Sequence, residues 1–167
     1  MAELPVYEFD PQKLPADFLS ALGLTIASAA YADAVIVDAI GALAGLSLAE
    51  NIAITSHMTG PVRADVVRTL AEDKIPDLNL RTEFLSRFNR LIESLKKRHL
   101  YAHALWFQDR QRTGIQFVSY SARGSIGVRS EFVTVATASD AAAAMRHATL
   151  DVSEFLIVHG FLPDEHD

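Results

Sequence analysis

From Ala16 to about Leu46 the chain runs without proline and is dominated by Ala, Leu, Ile and Val, a pattern that predicts one long helix. It is apolar almost all round, so it is expected to be buried from several sides; only Asp33 and Asp38 interrupt its middle. At about 100° per residue, Gly23, Ala27, Ala30, Ala34, Gly41 and Gly45 share a narrow stripe on which a second backbone can approach closely. The same stretch is long enough to span a membrane. Each of the two aspartates would cost about 2.5–3.5 kcal/mol there, and no Lys or Arg flanks it to set an orientation. The central helix of a soluble, dimeric bundle is therefore expected, with no membrane partner.

Ahead of this helix, Pro5, Pro11 and Pro15 make residues 1–15 an extended arm. Beyond it, a polar and apolar loop leads to Thr59-Gly60-Pro61, a helix start that carries the chain to about Asp73. Pro76 stops that helix, and the next runs from about Leu80 to Tyr101 with a core stripe of Phe84, Phe88, Leu91 and Leu95. The period then changes. Ala104 to Gln108, Ile115 to Ser121 and Glu131 to Thr137 alternate as strands, separated by turns at Gly114 and at residues 123–127. A last helix from about Asp140 to His159, capped by Thr137 or Ser139, ends at Gly160 and Pro163. The expected fold is mainly α, a helical bundle with a small antiparallel β meander before the C-terminal helix, as one domain over 16–162 with an acidic tail at 163–167.

Composition narrows the setting. The 167 residues, half of them hydrophobic, suffice for one core. Without cysteine there is neither a disulfide framework nor a thiolate metal site, and a cytoplasmic location is expected. The N-terminus lacks the basic region and apolar run of a signal peptide. A net charge of −6 argues against broad adhesion to nucleic acid, so any such contact must be local.

Potential chemistry concentrates in Arg98-His99-Leu100-Tyr101-Ala102-His103, followed by Ala104-Leu105-Trp106. Extending the core stripe of the preceding helix puts Ala102 at its centre, Arg98 on one flank, and His99 and His103 on the other. Leu100 and Tyr101 then stand on the polar side, and something must cover them. Several plain explanations exist. Lys96, Lys97, Arg98 and His99 occupy the last turns of a helix, where positive charge is favoured by the backbone dipole. The histidines, four residues apart, also suit hydrogen-bonded positions at the edge of a core. A pair at this spacing with no nearby Cys or acidic ligand predicts no metal.

In this motif the chain resembles the HEPN family, compact helical bundles found in prokaryotic toxins, antiphage proteins and RNA-processing enzymes. Arg98-His99-x-x-x-His103 is similar to the family's Arg-polar-x-x-x-His pattern, and His103-Ala104-Leu105-Trp106 to the His-Gly-x-Trp of many relatives, with Ala104 for the commoner glycine and His99 for the commoner asparagine. The acidic Asp33 on a long first helix fits, as does Ile54-Thr55-Ser56-His57-Met58 ahead of a second helix. The resemblance implies a metal-independent, cofactor-free endoribonuclease whose site forms between two protomers. The RNA 2'-hydroxyl would be the nucleophile, with Arg98 and His103 at the chemistry, His99 orienting, and Asp33 and Tyr101 supporting. It also implies a toxin or antiphage setting and a possible antitoxin partner. Two alternatives stand beside it. One is a non-catalytic, dimeric regulatory module, which the acidic charge favours; the other is a small-molecule or nucleotide-binding protein using the same pocket.

Overall fold

A computed structural model describes residues 11–108, 115–122 and 126–163; within these, the side chains of His99, Leu100, His103, Phe107, Tyr120 and Arg129, among others, lie outside the description. The chain is mainly α, with a three-stranded antiparallel sheet before the last helix. The central helix, α1, spans Ala16–Ala44 and ends where Gly45 turns into the left-handed region at φ 67°, its N–H reaching back to the carbonyl of Ala42. Gly45 thus terminates the helix and takes no part in the small-residue stripe. Of that stripe Gly23, Ala27, Ala30 and Ala34 face solvent, whereas Gly41 is buried.

What lies against Gly41 is α2, Leu48–Thr55, in a stretch expected to be a loop. Ser47 and Glu50 close a capping box, each side chain bonding the other residue's backbone N–H. Asn51 then reaches over Gly41 and donates from Nδ2 to the Val37 carbonyl at 2.9 Å. So the close approach that glycine permits is made by a side chain of the same chain.

Helix α3, Gly60–Lys74, and helix α4, Leu78–His103, form an antiparallel hairpin around Pro76, with Asp77 capping α4 through the N–H of Leu80. Arg68 of α3 spans to Asn89 of α4, and Arg81 of α4 returns to the Glu72 carbonyl. The last helix, α5, spans Val135–Val158 and runs antiparallel to α4, as the Phe84–Phe155 contact and the Arg90–Asp151 pair show. The third strand and this helix differ from expectation. Residues 135–137, read as strand, open the helix because Thr134 Oγ1 accepts from the N–H of Thr137. One satisfied donor and the burial of Ala138, Ala141 and Ala142 outweigh a short β-branched run.

Strands β1 (Leu105–Gln108), β2 (Ile115–Ala122) and β3 (Ile126–Val133) pair in that order. The buried side chains among the described residues gather in two hydrophobic cores. The larger joins α1, α3, α4 and α5 around Ile36, Ile40, Val67, Phe84, Phe88, Leu91 and Phe155. A smaller one sits where the sheet meets the start of α1 and α5, around Leu14, Phe18, Tyr101, Trp106, Phe117 and Val133. The end of the N-terminal arm is part of it: Pro11–Lys13 make a turn of 3-10 helix, and Leu14 is buried. Residues 1–10 and 164–167 fall outside the described part. By length and composition α1 is apolar enough to cross a membrane, and one face of it is buried in both cores.

Candidate functional site

The motif lies at the seam between the two cores. Helix α4 stays helical through His103, and Ala104 turns the chain into β1 with extended geometry, φ −85° and ψ 150°. The carbonyls of a helix's last turn have no partner within the helix. One of them, that of Tyr101, accepts a hydrogen bond from the Trp106 indole Nε1 at 3.2 Å. The bond folds β1 back on the helix end and clamps the backbone that carries His103. Trp106 itself is wedged edge-on against Phe18, Tyr101 and Phe117, with ring centroids 5.0, 5.5 and 5.5 Å away. In the sequence Trp106 stood only as part of the motif's outline; here it is the brace of the corner.

Burial at this corner differs from the extrapolated stripe. Tyr101, placed on the polar side by helical angle, is buried, and Ala102, placed at the centre of the core stripe, is exposed. The reason is the second core: over its last turn α4 docks on the sheet and the start of α1, on another side from the bundle. Burial, and secondarily the charge of Glu131, push the Tyr101 phenol above its ordinary value. Tyr101 is therefore covered by its own chain and gives no reason to invoke a second protomer. Beside it an apolar groove of about 310 Å³ runs between Leu19, Leu22 and Ile26 of α1 and Ala102, Ala104 and Trp106.

Arg98 lies in the last turns of α4, partly exposed, and its Nε is buried with no hydrogen-bond partner. A buried polar atom left without a partner costs about 1–3 kcal/mol, so a guanidinium in this state has capacity for an added acceptor. Its neighbours along the helix are more conventional. Lys96 pairs with Glu93, and Arg87 with Glu83, while Arg90 meets Asp151 at 3.2 Å. Among the described residues neither Lys97 nor Arg98 has an ion pair. An open groove of about 310 Å³ between α4 and α5 is bordered by Arg90, Lys96 and Lys97 together with the acidic Glu93.

The remaining motif residues are placed in part. His99 and His103 belong to α4 by backbone, one turn apart, while their side chains lie outside the described part. Asp33 is half-buried on α1, and no ion pair joins it to Arg98 among the described residues. No cluster of three or more His, Asp or Glu that would hold a metal occurs among them either.

Charge is unevenly distributed in a way the net value hides. Between Lys96 and Val133 the sequence has Lys96, Lys97, Arg98, Arg110, Arg112, Arg123 and Arg129 against only Asp109 and Glu131. The chain as a whole carries 15 basic and 21 acidic residues, so this stretch is basic in sequence within an acidic chain. Comparison with protein-family models, with curated proteins and with solved structures finds no match to this chain.

Proposed function

We propose that this protein is a metal-independent endoribonuclease of HEPN type, with Arg98 and His103 at the end of α4 as its chemical site. The observation that carries the reading is the Arg98 guanidinium, with a buried Nε that lacks an acceptor, five residues before His103 on the same helix. The HEPN-like motif and the local excess of basic residues support it.

On this reading the scissile phosphate is the missing acceptor. Arg98 forks onto its non-bridging oxygens and stabilises the added charge as the ribose 2'-oxygen attacks phosphorus. The bond to the departing 5'-oxygen breaks, leaving a 2',3'-cyclic phosphate. His103 removes or returns the proton as general base and acid, and His99 orients the phosphate or His103. Asp33 and Tyr101 support the site from α1 and from the second core. The RNA supplies its own nucleophile, so no cofactor is required.

A two-fold dimer belongs to the proposal, with a cytoplasmic setting and a toxin or antiphage role that an antitoxin partner would hold in check. Its support in the fold is the solvent-facing stripe of Gly23, Ala27, Ala30 and Ala34, bordered by Leu24 and Tyr31. Incubating the full chain with total RNA tests the reading: wild type should cleave in the presence of EDTA, and His103→Ala should not. Cleavage that is equal in the two, or that needs zinc, rejects it. Absence of cleavage by either favours the non-catalytic binding module that the charge of −6 would suit.

A further inference from the structure

Helices α4 and α5 lie antiparallel, and the groove between them changes charge along its length. Away from the motif it is bordered by Arg87 and Arg90 against Glu83, Asp151 and Glu154, two cations facing three carboxylates. Toward the motif the wall on the α5 side is Ala141 and Ala144, which bring no charge. The α4 side there has Arg90, Lys96 and Lys97 against Glu93. Among the described residues the lining therefore passes from net negative to net positive as it approaches Arg98, within a chain of charge −6. The alanines also leave the basic part open, with about 310 Å³ of room.

We propose that the basic part of this groove holds the phosphate backbone of an RNA strand whose next phosphates reach Arg98. The identity of the polymer rests on the ribonuclease reading, whereas the need for an anion rests on the groove. Its cations are available. Lys97 has no ion pair among the described residues. Lys96 and Glu93 pair with side chains 70% and 69% exposed, and Arg90 and Asp151 with side chains 59% and 45% exposed. Exposed pairs of this kind hold their partners weakly, so a phosphate can draw both cations to itself. Spacing favours a chain of phosphates over a single ion. Arg90 and Lys97 are seven residues apart, about 10.5 Å along the helix axis, and the unpartnered Arg98 Nε follows one residue later. The groove has little with which to read a base. Its wall is alanine, and the Ser94 hydroxyl already donates to the Leu91 carbonyl, so contact is with the backbone and independent of sequence.

Fluorescence anisotropy with a labelled RNA of about 12 nucleotides and the full chain carrying His103→Ala, which keeps the probe intact, tests the groove. Lys97→Gln and Arg90→Gln should each lower the slope of log Kd against log salt by about 0.7, which weakens binding about 5-fold at about 0.1 M salt. Lys74→Gln, which removes the same charge at the end of α3, should leave both quantities unchanged. Ala144→Glu, which sets a carboxylate in the wall, should weaken binding by at least as much as Lys97→Gln. Ala144→Lys should tighten it, with circular dichroism unchanged throughout. A scrambled RNA of the same composition should bind as the original does. The proposal is overturned if Lys97→Gln keeps the parent's slope, if Lys74→Gln lowers it equally, if Ala144→Glu and Ala144→Lys act alike, or if no RNA binds. A mononucleotide that binds as tightly as the RNA also overturns it, because the groove would then hold one phosphate and no strand. Cleavage by the wild-type chain, with a salt slope indifferent to Lys97, would remove the groove alone. Lys97-dependent binding without cleavage by the wild-type chain would support the groove and remove the ribonuclease.

Discussion

Replacing Gly41 by alanine probes the packing of α2 on α1 with a sign that depends on a second residue. A Cβ built at Gly41 would lie 2.5 Å from Asn51 Nδ2 and 2.9 Å from its Cγ, closer than such atoms approach. Asn51 is 4% exposed and tied to the Val37 carbonyl, so it has little room to yield. Gly41→Ala therefore breaks that hydrogen bond, worth about 0.5–1.5 kcal/mol, and adds overpacking of about 1–3 kcal/mol. Alanine's better helix propensity returns about 1 kcal/mol. The net should be a destabilisation of about 1–3 kcal/mol. In an Asn51→Ala background the obstacle is gone, and the same substitution should stabilise by up to about 1 kcal/mol. Urea denaturation followed by both far-UV circular dichroism and the fluorescence of Trp106, the one tryptophan, gives all four free energies of the cycle. An equal effect of Gly41→Ala in both backgrounds, or stabilisation in the wild type, would refute the packing argument.

Other consequences concern the motif corner and the surface. Trp106→Phe keeps the ring packing but removes the bond to the Tyr101 carbonyl; we expect a loss of about 1 kcal/mol in stability and a fall in kcat of cleavage larger than any change in KM, measured by denaturation and steady-state kinetics. Tyr101 has a folded-state value raised above that of an unfolded tyrosine, so its neutral form contributes stability below about pH 10, which is lost as pH rises through the higher folded value. Trp106-detected melts should thus weaken above pH 10 in the wild type and less so in Tyr101→Phe; identical alkaline limbs would contradict this. For the dimer, light scattering should give twice the chain mass at micromolar concentration, and Ala27→Arg, on the exposed stripe, should give the monomer.

The parts of the fold that were legible in the sequence are those where one strong signal acts over many residues. The run of Ala, Leu, Ile and Val in α1, the Phe84-Phe88-Leu91 stripe of α4 and the period-two segments of β1 and β2 each repeat their message for several turns or residues. Helix α2 was missed because its eight residues are too few to show a period, although the Ser47-Leu48-Ala49-Glu50 capping signal was present. The start of α5 was missed because Val133-Thr134-Val135 reads as strand until Thr134 is recognised as a cap. At the site, the helix carrying Arg98 and His103 was legible, but its covering was not. Which side of Tyr101 and Ala102 is buried depends on the second core, made by residues as distant as Leu14, Phe18 and Val133, and helical angle alone contains no information about them.

The most direct test of the central claim is single-turnover cleavage of an end-labelled RNA in EDTA, with mass analysis of the new 3' end. The account predicts a 2',3'-cyclic phosphate, a block where one ribose at the cleaved position is replaced by deoxyribose, a rate reduced roughly 10²–10⁴-fold by His103→Ala, and damage by Arg98→Lys because an ammonium lacks the guanidinium fork. Cleavage that leaves a 3'-hydroxyl, proceeds past the deoxyribose, or is as fast in His103→Ala as in the wild type would contradict it.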